Sequence, residues 1–475
     1  MFAFPQLLIG MVRPMRHIAW KQVAWLLTLA GILRLGAAVY WHQHWHGQFV
    51  FGDSQGYFDL ARTIAHGQPY QLPSSEEVFR APGYPLLLSP VLWFFDGPHA
   101  VWAARIESCL FGSLTVLAVA CWAWQVFGPR AAWIAGLILA IYPEAVAVSV
   151  PVLSEAPFCL LVAMNMATWT AAWKRCGSSG HGTYAIAGCG RAQRRPTNSP
   201  AFCGGSSLRS TIPYVSPNSL LVGLLAGALA GAATLVRPSW MLFLPFAVTC
   251  GVICGQRRRQ LLLAATMFTG FVVVMLPWWA RNYRVTGHFV PTTLQVGASL
   301  YDGWNPQATG ASDMRFVPEF AEAQRNSDAD RAASDGFEYR LDRRFRQAAW
   351  GWAHANPARV AQLAGIKLLR IWNFWPNEPS FAAWPVRLAV LATYLPLMLL
   401  AALGLRQATA RAWPAALCWL PAVYFTLLHT VFVSSIRYRQ PAMLGLIVLA
   451  AGYLAEFGKT PSNLETESLP FSPSA

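Results

Sequence analysis

Long apolar runs recur along the chain and are separated by short polar segments. A helix of about 20 apolar residues is long enough to cross the hydrocarbon core of a membrane. The pattern predicts about ten such helices, with boundaries uncertain by a few residues. We place them at residues 19–41, 101–126, 131–150, 154–173, 218–236, 239–255, 260–279, 386–405, 412–433 and 439–456. The predicted fold class is therefore an all-α polytopic membrane protein.

The apolar runs and the polar segments between them also predict how the chain is divided. The predicted parts are an N-terminal membrane module (1–173) with a polar first loop (about 42–100), a basic low-complexity loop (174–217), central spans (218–279), a polar loop region (280–385), C-terminal spans (386–457) and a tail (458–475). The basic loop is rich in Gly, Ser, Arg and Pro, so we assign no chemistry to it. A shorter apolar run at 84–95 is interpreted as a re-entrant or interfacial segment.

Composition and charge agree with a membrane protein. Hydrophobic residues make up 55% of the chain and charged residues only 12%. The net charge of +15 raises nucleic acid as an alternative partner. However, the basic residues lie between apolar runs, as the positive-inside rule describes, and not along one soluble face. This distribution predicts an inner (plasma) membrane protein with cytoplasmic termini, the loops 42–100 and 280–385 on the outer face, and no nucleic-acid partner.

The first candidate for chemistry is an acid in the first predicted outer loop. Asp53 is the third residue of the stretch FGDSQGYFDLARTI (residues 51–64), in which Tyr57, Leu60, Ala61 and Ile64 share one helical face. An Asp at a helix start is well explained as an N-cap. The alternative is a functional carboxylate presented at the membrane surface, and the sequence leaves both interpretations open.

A rigid turn with an arginine follows in the same loop. The stretch RAPGYP (residues 80–85) contains Arg80 and Tyr84. Its prolines and glycine could simply start an interfacial helix. A guanidinium beside lipid headgroups also suits a phosphate, and we favour that role for Arg80.

Further charged residues are predicted at the outer ends of spans. They are Glu155, Arg237, Arg281, Arg437 and Arg439. Each arginine alone could extend its head to the interface. Together they form a ring where the positive-inside rule should make arginine scarce, which favours an anionic headgroup as ligand. Arg34, in the first span, is expected to reach the same rim and pair with an acid.

The histidines of WHQHWHG (residues 41–47) raise a metal site as an alternative. His42 and His46 are one helical turn apart, but no cysteine or HExxH-type partner accompanies them. Trp41 and Trp45 indicate an aromatic belt at the interface instead. The sequence therefore predicts no metal site here. It also contains no Walker loop, GxSxG motif or dinucleotide fingerprint.

The order of these motifs resembles a known family. FGDSQGYFDLARTI, FRAPGYPLLL, SEAPF, LVRPSW, PWWARNYRVTGHFVPTT and RYRQPAM follow one another as in bacterial GT-C glycosyltransferases, which are related to the protein O-mannosyltransferases and the aminoarabinose transferases. The resemblance covers most of the chain outside the loop 174–217 and the tail.

The resemblance implies a GT-C-type helix bundle with its active site in the outer loops. It further implies inverting transfer of a sugar, hexosyl or pentosyl, from a polyprenyl-phosphate donor to a glycan, lipid or protein acceptor. By position Asp53 would be the general base. Tyr57, Tyr84, Glu155 and the arginines would bind the lipid phosphate or the sugar. The participation of a divalent cation stays open. In protein mannosyltransferases Glu typically follows this Asp, whereas here Ser54 does, so the acceptor is not identified.

Two alternatives from other classes remain. A flippase or transporter of lipid-linked sugars would also need many spans and outer arginines, but it should carry polar or broken-helix features at the membrane midplane in both halves. A structural or accessory membrane protein would need no acid and arginine together. Replacing Asp53 distinguishes the three, because only the enzyme depends on that carboxylate.

Overall fold

A computed structural model gives the architecture of residues 20–73, 76–178, 217–254, 257–328, 336–376, 383–407 and 412–457. Within these residues the chain is helical and contains no strand. Most of the predicted basic loop at 174–217 and all of the predicted tail at 458–475 lie outside the described residues. The all-α prediction is confirmed.

The helices follow the apolar runs closely. In chain order they are α1 (Trp20–His44), α2 (Gly52–Ala65), α3 (Gly83–Phe94), α4 (Gly97–Phe127), α5 (Pro129–Ile141), α6 (Pro143–Ala147), α7 (Glu155–Ser178), α8 (Pro217–Val236), α9 (Phe243–Ile253), α10 (Arg257–Thr286), α11 (Val296–Gly303), α12 (Val317–Ser327), α13 (Phe337–Ala355), α14 (Pro357–Ile371), α15 (Trp384–Arg406), α16 (Leu420–Val431) and α17 (Gln440–Glu456). Short 3₁₀ turns lie at Pro238–Trp240, Met314–Phe316, Ala415–Cys418 and Ile436–Arg439.

Every predicted span falls on a helix, but not every helix has the length of a bilayer. Within the described ranges, six helices are long and apolar enough to cross a membrane, namely α1, α4, α7, α8, α10 and α15. Others are shorter because proline interrupts the run. Tyr142, for example, is extended ahead of Pro143, so α5 ends there and α6 begins. The protein is therefore a multi-pass membrane protein, while helix length alone does not establish ten crossings.

Helix α17 is the centre of the bundle. Fourteen of its 17 residues are buried, which is far more than one face of a helix provides. It packs between α15, α5 and α4. By contrast, α1 exposes large apolar residues such as Ile32 and Tyr40 along its outward side. The outward helices therefore present an apolar surface suited to lipid.

Helices α8 and α10 approach each other at paired glycines. A Cβ placed on Gly227 would lie 1.8 Å from the carbonyl oxygen of Met267, and one on Gly270 would lie 2.1 Å from that of Leu224. Since small residues allow backbones to come this close in membrane bundles, the two helices pack tightly here.

Replacing Gly227 by alanine should therefore destabilise the bundle. The added methyl meets rigid backbone, so we expect a loss of about 1–3 kcal/mol and a lower Tm in detergent, measured by thermal unfolding. Gly31→Ala is the control, because a Cβ at Gly31 meets nothing within 4 Å. Equal Tm values for the two variants would contradict this account of the α8–α10 contact.

Candidate functional site

Asp53 lies in the first turn of α2 and points to another segment of the same loop. The helix has Phe51 at its N-cap, and no side chain caps it. Instead, the Asp53 carboxylate accepts a hydrogen bond of 2.6 Å from Nη2 of Arg80. The Asp53 side chain is 40% exposed. Asp53 is therefore not the N-cap of α2, and its carboxylate pairs with Arg80 instead.

Aromatic side chains hold Arg80 in place. Its guanidinium lies 5.1 Å from the ring centre of Tyr57, and its backbone oxygen accepts a hydrogen bond of 3.1 Å from the Tyr70 hydroxyl. The Tyr57 ring in turn packs edge-on against Tyr84 at 5.1 Å between ring centres. The stretches 51–64 and 80–85 are therefore brought together as one unit, with Tyr84 as its buried support.

A second acid stands beside this unit. Glu155 is buried and forms ion pairs with Arg237, at 2.7 Å between Nη1 and Oε1, and with Arg437, at 3.0 Å between Nε and Oε1. The guanidinium of Arg437 also reaches Asp53, with 3.9 Å between Nη2 and Oδ2. Arg437 therefore bridges the two carboxylates. We call Asp53, Arg80, Glu155, Arg237 and Arg437 the ionic cluster.

The fold explains why these distant residues meet. Glu155 begins α7, Arg237 follows the last residue of α8, and Arg437 lies just ahead of α17. Helices α7 and α8 run in opposite directions, so the start of one and the end of the other lie at the same end of the bundle. Asp53 lies in α2, which begins eight residues after the end of α1, and so it follows the chain to this end of the bundle. The ionic cluster therefore sits at one end of the helix bundle.

The cluster has a net positive charge. Three guanidinium groups face two carboxylates, which leaves one positive charge over. Burial alone raises the pKa of Asp53, but the charges of Arg80 and then Arg437 outweigh it, so the pKa falls below its usual range. The pKa of Arg80 is raised in turn. Both groups stay ionised at neutral pH, and the site suits an additional anion.

Two predicted arginines lie outside the cluster. Arg281 donates to the backbone oxygens of Tyr70 and Glu77 and supports the loop that carries Arg80. Arg439 is fully buried and donates to Glu144 and to the Asn373 carbonyl. Because these bonds occupy the Arg439 guanidinium inside the bundle, it stabilises the fold rather than facing a ligand, which corrects the sequence prediction.

Arg34 is a further correction. The sequence predicted that it reaches the rim and pairs with an acid. It is instead buried and donates to backbone oxygens of Ala30, Leu139 and Ala140. The last carbonyls of a helix have no partner within the helix and carry partial negative charge, so the end of α5 attracts this guanidinium.

A histidine that the sequence raised as a metal ligand contacts an arginine instead. His42 Nδ1 lies 2.6 Å from Nη1 of Arg105, an arginine that the sequence analysis did not single out. Among the described residues no group of three or more His, Cys, Asp or Glu side chains could hold a metal ion. In the ionic cluster both carboxylates are occupied by guanidinium groups. Guanidinium N–H groups bind an anion and cannot ligate a divalent cation.

Three side chains near the cluster escaped the sequence analysis. The Tyr57 hydroxyl donates to Ser154 Oγ at 3.4 Å, and the Tyr438 ring lies between the guanidiniums of Arg237 and Arg437. Ser154 directly precedes Glu155 and Tyr438 directly follows Arg437, so their neighbours in the sequence could have pointed to them. Glu338, which binds the backbone at Val78, is 260 residues away and gave none.

Comparison with known proteins adds independent findings. A family model described as dolichyl-phosphate-mannose-protein mannosyltransferase matches residues 80–196. The archaeal oligosaccharyltransferase AglB from Archaeoglobus fulgidus, in complex with an inhibitory peptide and a dolichol-phosphate, superposes with a TM-score of 0.55 and 15% identity over 96% of this chain.

The chain has the GT-C glycosyltransferase fold. A second structure of the Archaeoglobus fulgidus enzyme, tethered with an acceptor peptide, gives a TM-score of 0.50 at 14% identity over 90% of this chain. ArnT from Cupriavidus metallidurans bound to undecaprenyl phosphate gives 0.39 at 14% identity, covering 90% of this chain and 77% of that one, and supports no inference at that score. Comparison with curated protein sequences finds no match.

The chain spans about half the length of the archaeal oligosaccharyltransferase, 52% for the AglB complex and 49% for the tethered form. The family resemblance read from the sequence motifs is confirmed, and the residues 80–196 that match the family model include Arg80 and Glu155 of the ionic cluster. The site roles of individual residues remain predictions.

The buried pair of Glu155 and Arg237 should behave as one unit. Arg237→Met leaves Glu155 without one of its cations, and Glu155→Gln leaves Arg237 without its carboxylate, so each alone should be destabilising. The double variant removes both charges of the pair, so neither the carboxylate nor the guanidinium is left without its partner. We expect its loss to be about 0.5–3 kcal/mol smaller than the sum of the single losses, measured by unfolding in detergent.

The exposed pair Asp313 and Arg315 is the matched control for this cycle. These side chains are 47% and 89% exposed. A solvated pair couples weakly, so Asp313→Asn and Arg315→Met should give nearly additive losses. Additive losses at Glu155 and Arg237 as well would contradict a coupled buried pair.

Proposed function

We propose that the protein is an integral membrane glycosyltransferase that moves a sugar from a polyprenyl-phosphate donor to an acceptor hydroxyl or amide. The single observation that carries this proposal is the ionic cluster at one end of a GT-C bundle. Five separated segments of the chain supply its two carboxylates and three guanidinium groups. A scaffold needs no such convergence of charge.

The arginines are the proposed site for the lipid phosphate. Arg80 and Arg437 both face Asp53, and guanidinium groups bind phosphate oxygens through charge-assisted hydrogen bonds. The net positive charge of the cluster offsets the charge of the donor. The presence of a dolichol-phosphate in the archaeal oligosaccharyltransferase structure supports this assignment, because that protein shares the fold.

Asp53 is the proposed general base. In the free protein its pKa is lowered by Arg80 and Arg437, which makes it a weak proton acceptor. A bound phosphate would compete for both guanidiniums, so the Asp53 pKa should rise when the donor arrives. The carboxylate then becomes an effective base only in the donor complex.

The reaction balances with these groups alone. The acceptor oxygen or nitrogen attacks the anomeric carbon and gives its proton to an Asp53 oxygen. The bond between the anomeric carbon and the phosphate oxygen breaks, and the polyprenyl phosphate leaves with the electron pair. Arg80 and Arg437 stabilise the charge that develops on the phosphate. A single displacement of this kind inverts the anomeric centre.

The location follows from the distribution of basic residues. We infer that the ionic cluster lies on the outer face of the inner membrane, with both termini in the cytoplasm. The donor would approach from the lipid phase, and the acceptor, a glycan, lipid or protein, from the outer side. A hexose and a pentose are both compatible with the cluster.

Asp53→Asn should abolish transfer while leaving donor binding in place. The amide keeps the shape of the side chain but cannot take the proton, so we expect release of polyprenyl phosphate to fall about 10²–10⁴-fold. The measurement uses purified protein with a panel of polyprenyl-phosphate sugars, with and without EDTA. Asp59→Asn is the matched control, since Asp59 lies on the same helix and accepts a hydrogen bond from Gln55, outside the ionic cluster.

A flippase or a scaffold should tolerate Asp53→Asn, because neither needs a proton acceptor at this position. Transfer by the variant at the wild-type rate would therefore remove Asp53 as the base. Retained binding of polyprenyl phosphate by the same variant separates a catalytic loss from misfolding.

Arg437→Gln should weaken donor binding. Loss of one charge-assisted hydrogen bond costs about 1.5–3 kcal/mol, so the Kd for polyprenyl phosphate should rise roughly 10- to 100-fold. Lipid binding in nanodiscs measures this directly. Arg284→Gln is the control, because Arg284 is exposed near the end of α10. If both variants bind the lipid equally well, Arg437 does not hold the phosphate.

A further inference from the structure

The segment that carries Arg80 is attached to a helix far away in the sequence. Glu338, in the first turn of α13, accepts hydrogen bonds from two consecutive backbone N–H groups. The Glu77 N–H lies 3.0 Å from Oε2, and the Val78 N–H lies 3.1 Å from Oε2 and 3.2 Å from Oε1. These hydrogen bonds attach the segment to α13 at Val78, two residues before Arg80.

Other contacts make this attachment specific. Val78 is fully buried, and its backbone oxygen accepts a hydrogen bond of 3.0 Å from the Leu294 N–H. Arg281 donates to the Glu77 oxygen at 3.0 Å. The N–H groups at 77 and 78 thus depend on Glu338, while the neighbouring carbonyls bind other elements. Removing the Glu338 carboxyl would leave Val78 N–H buried without an acceptor.

We propose that Glu338 is a positioning residue that holds residues 76–80 so that Arg80 faces the donor phosphate. This inference rests on the proposed function, since it assigns Arg80 to the phosphate. Glu338 itself touches only the backbone of the segment. It therefore acts on the donor site through Arg80 and not by direct contact.

The attachment should also respond to pH. Burial raises the pKa of Glu338 to about 7, hydrogen bonds from Val78 and Glu77 oppose the rise, and the nearby carboxyls of Glu76 and Glu77 add to it. The cation facing it is Arg281. Released from the segment, Glu338 would return toward its ordinary pKa near 4.3.

Proton binding to Glu338 and attachment of the segment are linked. The attached state holds the Glu338 proton more tightly than the released state, so the attachment is strongest at acidic pH. It weakens as pH rises through about 7 and Glu338 ionises. A neutral carboxyl still accepts both N–H groups through its carbonyl oxygen. Glutamine at this position reproduces that neutral form at every pH.

The test compares Glu338→Ala, Glu338→Gln and the wild type at pH values from about 5.5 to 8.5, a range that brackets the Glu338 pKa of about 7. Two quantities are measured: hydrogen exchange of the peptide covering residues 76–81, and the Kd for polyprenyl phosphate in nanodiscs. At each pH the variants are compared with the wild type, which cancels the titration of the phosphate itself. Glu322→Gln, an exposed glutamate on α12, is the control.

We expect Glu338→Ala to raise exchange in the segment and to raise the Kd about tenfold, as loss of a hydrogen bond with a buried partner implies. Glu338→Gln should bind as the wild type does at acidic pH, and its affinity should not fall as the wild-type affinity does when the pH rises to about 7. Wild-type exchange and Kd in Glu338→Ala would overturn the proposal, as would an unchanged pH dependence in Glu338→Gln.

The two readouts separate this inference from the proposed function. In one outcome, Glu338→Ala raises exchange in the segment but the wild type binds no polyprenyl phosphate. The attachment of the segment by Glu338 then stands, whereas the proposed function fails and the positioning of Arg80 toward a phosphate fails with it. If the wild type binds the lipid and Glu338→Ala changes neither readout, only the positioning role is overturned.

Discussion

The two-sided contact of Arg437 is the interaction on which the site depends. One guanidinium reaches Glu155 at 3.0 Å and Asp53 at 3.9 Å, and so connects the membrane helices to the first loop. Glu155 is almost fully buried, and a buried carboxylate is costly unless it is paired. The need to neutralise Glu155 therefore fixes where Arg237 and Arg437 lie, and their position in turn holds Asp53.

The bundle makes this arrangement possible by bringing helix ends together. Helix α17 is buried along most of its length and aligns its neighbours, while glycines let α8 and α10 approach closely. Proline breaks near the site end, as at Pro238, stop helices where a charged side chain is needed. The apolar packing thus sets the geometry within which a small number of charges operate.

Arginine has three different uses in this protein. In the ionic cluster it faces carboxylates and leaves positive charge for a ligand. At Arg34 it binds the free carbonyls at the end of α5, and at Arg439 it neutralises the buried Glu144. The side chain is the same in each case. What differs is whether the guanidinium is saturated by the protein or retains capacity for an anion.

The sequence by itself determined the helical class, because apolar runs of bilayer length leave the backbone no other way to satisfy its hydrogen bonds in lipid. It also singled out Asp53, Arg80, Glu155, Arg237 and Arg437 as candidates, since charged residues at the ends of such runs stand out. Only the tertiary structure decided which of them meet. Arg34 and Arg439 look equally suitable along the chain, and Glu338 shows no signal at all. Contacts between residues hundreds of positions apart depend on how helix ends are packed, and no local pattern records that.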